Sequence, residues 1–146
     1  MHIGFGVRVV GVVLLAAVAA GCAVAPRTSV WEAPSRFDTS QVFDAGLQAG
    51  SQAGWQAVSS DRTSGTMSFK KPMGAQEMNL STSIRPANEK VQVRSTVNIS
   101  QVGETMFFGA GKGQHEFYIN QFHKLLFQNL GVVDPAEQSL NVEIAQ

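Results

Sequence analysis

Charge is scarce in this 146-residue chain: Asp, Glu, Lys and Arg make up 15% of it, against roughly a quarter in ordinary soluble domains. Neither sign prevails, with 11 Lys+Arg against 11 Asp+Glu. A chain without net charge has no long-range field to gather phosphate polymers, which argues against a general nucleic-acid binder. The single cysteine excludes an internal disulfide and any Cys-rich zinc or iron–sulfur cage. At this length the chain forms one domain and falls short of two. No internal repeat or low-complexity tract is visible.

The one long apolar run lies at the start. Arg8, the amino terminus and His2 supply the early positive character, and Val9–Ala20 (VVGVVLLAAVAA) follows without a polar side chain. A positive start, a short apolar centre and small residues before a cut make a secretory signal peptide. As a helix this centre would span about 18 Å, well short of a hydrocarbon core of roughly 30 Å. The competing reading is an uncleaved anchor, in which counting on through Ala25 reaches the lower limit for a membrane span.

Ala19-Ala20-Gly21-Cys22 resembles the lipobox of bacterial lipoproteins, with alanine at 19 where that family prefers leucine. The resemblance implies cleavage before Cys22, diacylglycerol on its sulfur and a lipid-anchored mature protein. Ala23 stands where an aspartate often retains such proteins in the inner membrane. The expected location is therefore the periplasmic face of the outer membrane. Residues 1–21 are then the signal peptide, and the remaining 125 carry ten Lys+Arg against eleven Asp+Glu.

Residues 22–36 read as a lipidated N-terminus and linker, because Pro26 and Pro34 oppose regular structure. Trp31 is the odd residue there, expected to dock on the domain's own surface or on a partner. Residues 37–131 read as the folded domain. Asp38 with Gln41 makes a capping-box-like start to a helix over residues 37–54. Its glycines, Gly46 and Gly50, are expected to allow close packing against a sheet.

Strand-like runs follow at residues 55–60, 66–71, 78–84 and 91–99, the last with the cleanest alternation (Val91, Val93, Ser95, Val97, Ile99). A second helix over about 114–130 carries the stripe Ile119, Phe122, Leu126 and Leu130. Residues 132–146 are left as a tail or a short extra strand. The expected fold is α+β: a two-layer sandwich of helix, four antiparallel strands and helix, with both helices on one sheet face. The order over residues 42–69, with Gly54-Trp55 at a strand start and Gly65 at a hairpin return, resembles small envelope domains such as those of the assembly lipoprotein C family of the outer-membrane β-barrel machinery. That resemblance implies an accessory, non-enzymatic role.

Motifs that carry chemistry are few. His115-Glu116 opens a helix, but HExxH needs histidine where Ile119 stands. Glu116, Asn120 and His123 share one helical face, expected to be solvated rather than to hold a metal. Gly109–Gly113 matches neither phosphate-loop pattern and reads as a hinge. No paired carboxylates and no Ser–His–acid trio stand in a motif context, so neither catalysis nor a cofactor is expected. Met106, Phe107 and Phe108, in a glycine-rich stretch, either cover the core or anchor a partner or the bilayer. The expected function is a lipid-anchored envelope protein-binding module; the alternative is a carrier of a small apolar ligand held between helices and sheet.

Overall fold

The computed structural model describes residues 26–74, 76–101, 112–133 and 141–144. Cys22, Met106, Phe107 and Phe108 lie outside them. The elements run β1 (Arg27–Ala33), α1 (Thr39–Gln52), β2 (Gln56–Asp61), β3 (Thr66–Met73), β4 (Gln76–Ala87), β5 (Lys90–Gln101), α2 (Lys112–Leu130) and β6 (Asn141–Ile144). All strands pair antiparallel in one sheet ordered β2-β3-β4-β5-β1-β6.

The α+β class holds; the finer layout is corrected. The sheet has six strands, not four, and the first helix follows a strand instead of opening the domain. The expected linker is β1, which lies between β5 and β6 with Arg27 opposite Val97 and Ala33 opposite Val91. Pro26 and Pro34 sit just outside its ends, where a missing N–H costs no ladder bond. Asn141–Ile144, left open between tail and strand, pairs with β1.

Each helix starts and stops for local reasons. The Asp38 carboxylate accepts from the Gln41 amide at 2.8 Å, and Gln41 Oε1 accepts from the Asp38 amide at 3.0 Å, a complete capping box. At the other end, Lys71 Nζ donates to the Ala53 carbonyl at 2.8 Å while lying 5.2 Å from the Tyr118 ring centre and 5.8 Å from that of Trp55. A cation there satisfies a terminal carbonyl and matches the negative end of the helix. Arg62, in the β2–β3 turn, ties that hairpin back to α1 through Ser40 and Asp44. Gly65 returns the hairpin at φ 67°, where a Cβ would collide with the Ile84 carbonyl.

Both helices reach Phe69 of β3. Gly46 and Gly50 of α1 face Met67 and Phe69; a Cβ on Gly50 would fall 2.7 Å from Phe69 Cζ. From α2, Phe122 meets Phe69, Phe127 meets Trp31 with ring centres 4.6 Å apart, and His123 meets Ser95. The core these contacts enclose includes Trp31, Phe43, Met67, Phe69, Leu80, Val93, Ile119, Phe122 and Leu126, all nearly without exposure. Each such side chain contributes roughly 1.5–3 kcal/mol by leaving water.

Candidate functional site

The helix-covered face of the sheet is largely apolar, with the buried Arg27 at one end of β1 and one row of hydroxyls across its middle. The register sets Ser29 opposite Ser95, Ser95 opposite Thr82, and Thr82 opposite Met67. Above and below run apolar rows, Trp31–Val93–Ile84 and Val97–Leu80–Phe69. Three hydroxyls are thus held in the middle of a dry core, with Ser29, Ser95 and Thr82 all buried.

α2 supplies their partner. His123 Nε2 stands 2.8 Å from Ser95 Oγ, which is 3.1 Å from Thr82 Oγ1. One hydroxyl with one proton and two lone pairs serves both neighbours, because it donates to one while accepting from the other. Burial pushes the His123 pKa down to about 3, so the ring is neutral at neutral pH. His123 Nδ1 and Ser29 Oγ find no partner among the described residues.

A second polar group gathers where α2 begins. Arg27 Nη1 of β1 lies 3.9 Å from Glu116 Oε1, and the His115 ring beside them is fully buried. Burial, with Arg27 adding its like charge, lowers the His115 pKa. Neither His115 nitrogen nor Gln114 Oε1 has a partner among the described residues.

Ser95 and His123 have the spacing of a nucleophile and its base. The rest of the arrangement opposes that chemistry. Both side chains are at most 1% exposed, so substrate has no contact with the pair. The third group is the Thr82 hydroxyl, which cannot stabilise an imidazolium as a carboxylate would. A histidine with a pKa near 3 is also a weak base at neutral pH. His123, Ser95 and Thr82 form an internal hydrogen-bond chain that ties α2 to the sheet.

Trp31, a sequence candidate for partner contact, is 2% exposed in β1 and packs on Phe127. The solvated face expected for Glu116, Asn120 and His123 is corrected: Asn120 is exposed and Glu116 half-exposed, but His123 points into the core. The expectation that Gly109–Gly113 forms a hinge falls mainly outside the described residues. Among the described residues no cluster of three metal-ligating side chains occurs, and no helix is long and apolar enough to cross a membrane. A signal for the polar row was present in the sequence. Ser95 and Thr82 occupy inward positions in otherwise apolar alternations, Val91–Ile99 and Met78–Ile84.

The surfaces differ from this interior. Every residue of the edge strand β2 is exposed, and Val58 is 61% exposed. A bulge between Ala57 and Ser59 interrupts its pairing with β3. No family model and no curated protein matches the chain. Among solved structures, that of Ara h 8.0201 is similar in backbone with a TM-score of 0.48 and 10% identity, over 73% of this chain and 99% of that one.

Proposed function

We propose that this chain is a lipid-anchored, non-enzymatic binding module of the bacterial envelope, held at Cys22 on the periplasmic face of the outer membrane and engaging an envelope protein. The observation that carries the reading is the distance from the lipobox to the fold. β1 begins at Arg27, five residues after Cys22, a stretch that reaches at most about 18 Å. A domain on so short a tether stays against the bilayer.

Topology supports a definite end facing the membrane. Arg27 pairs with Val97, so β5 runs on past the start of β1 at the same end of the sheet and finishes at Gln101. The Arg27–Glu116 contact brings the first turn of α2 to the same end. Gln101 and Lys112, the described residues on either side of Met106, Phe107 and Phe108 in the sequence, end and begin their elements towards that end. The exposed edge β2 is the second surface that suits a protein partner, since an edge strand offers unpaired backbone groups to an added strand.

The carrier reading needs space between helices and sheet, and where α1 meets β3 that interface is filled, as the Gly50–Phe69 approach requires.

Crosslinking in intact cells, followed by intact-mass analysis of the purified chain, tests the proposal. The expected result is loss of residues 1–21, an acyl adduct that Cys22→Ala abolishes, and an envelope-protein crosslink that Val58→Lys or the Phe107→Ser/Phe108→Ser pair removes without unfolding. An unlipidated chain in the cytosol with its leader in place would overturn it.

A further inference from the structure

The face of the sheet turned away from the helices bears a row of hydroxyls one residue out of step with the buried one, covered only at Thr28. Thr28 stands opposite Thr96, Thr96 opposite Ser81, Ser81 opposite Ser68, and Ser68 opposite Ser59. The row crosses five adjacent strands, a distance of about 19 Å at the usual strand spacing. A second row beside it sets Arg94 opposite Ser83 and Ser83 opposite Thr66. Arg85 follows two residues after Ser83 on the same face.

Between the rows lies an open trough of about 250 Å³, lined chiefly by Thr66, Ser68, Ser81, Ser83, Arg94 and Thr96. Among the described residues no carboxylate lines it. The end hydroxyls are engaged with each other, Thr28 with Thr96 at 2.8 Å and Ser59 with Ser68 at 2.6 Å. Those in the middle are not. Ser81 and Ser83, and the exposed Arg94 and Arg85, make no side-chain hydrogen bond or ion pair among the described residues.

We propose that this trough binds an anionic glycan, a sugar chain bearing carboxylate groups, laid across the strands. Hydroxyls that both donate and accept match sugar hydroxyls, which do the same. Arg94 presents a planar fork that fits a carboxylate, with no acidic side chain in the trough to compete. A protein partner would need large apolar anchors, and the described residues that line the trough are mostly hydroxyl-bearing. A nucleic acid would need aromatic platforms and net positive charge, and the chain has neither here. The trough borders β2 at Ser59, but its test reads glycan binding at Arg94, which protein binding at the β2 edge does not measure.

The test uses the full chain in detergent micelles, titrated with oligogalacturonate as the carboxylated probe. Dextran of matched length, galacturonic acid monomer and vesicles of anionic phospholipid serve as comparators. Arg94→Gln should weaken oligogalacturonate binding about tenfold, the loss expected for one charge-assisted hydrogen bond. Arg94→Lys should restore part of it, and Lys124→Gln, on the exposed side of α2, should leave it unchanged. Thermal melts check that each variant folds. Absence of oligogalacturonate binding, equal binding by Arg94→Gln, or binding to vesicles or monomer as strong as to the oligomer would each overturn the proposal.

Discussion

Two rows of hydroxyls cross the same sheet, one residue apart in register, and their circumstances are opposite. Ser29, Ser95 and Thr82 face the helices and are sealed from water. Thr96, Ser81 and Ser68 face away and are exposed or half-exposed. The side-chain types are alike; the pleat alone assigns their surroundings. Inside, a hydroxyl without a partner carries its full desolvation cost, so Ser95 is committed to His123 and Thr82. Outside, water satisfies any hydroxyl at little cost, which leaves Ser81 and Ser83 available to a ligand.

The largest test of that contrast is pH. His123 is neutral when folded with a pKa of about 3, against an ordinary value of 6.5, and His115 is shifted in the same direction. A depressed histidine contributes stability that is complete above the unfolded-state value. That stability is lost as pH falls towards the folded one, because only the unfolded chain takes up the proton. Stability should therefore fall between pH 6.5 and 3 by about 1.4 kcal/mol per pH unit for His123. Chemical denaturation across that range should show the slope, and His123→Leu should flatten it. An unchanged slope in that variant would mean that the ring is not dry.

Packing offers the next test. Gly50→Ala places a methyl group 2.7 Å from Phe69 Cζ and 3.0 Å from Cδ1. Overpacking of this kind should cost about 3 kcal/mol in a denaturant melt. A near-neutral result would show slack between α1 and the sheet, and with it room for the carrier reading. The smallest test compares the rows directly. Ser95→Ala strips both His123 and Thr82 of a bond and should cost about 2 kcal/mol, whereas Ser81→Ala on the outer face should stay within about 0.5 kcal/mol. Equal losses would dissolve the distinction.

Most of the elements were legible in the residues because their signals are local. The Asp38–Gln41 capping box, the Gly65 hairpin return and the alternation of Val91–Ile99 each act within a few residues, and each stands where the sequence puts it. β1 was not legible. Its inward positions are Arg27, Ser29, Trp31 and Ala33, so no apolar period marks it, and the flanking prolines suggest a linker. It is a strand because β5 and β6 offer it backbone partners from distant parts of the chain. The His123–Ser95 contact was hidden for the same reason: 28 residues separate two side chains that only the docking of α2 brings together.

The sequence alone determined the class of fold, the helix caps and the alternation that gives each strand two unlike faces, since these follow from neighbours within one turn or one pleat. Only the tertiary structure decided how many strands join the sheet and that His115 and His123 are both buried. It also decided which hydroxyl row meets water. Those outcomes depend on pairings between segments far apart in the chain, whose energies exist only once the layers have closed on each other.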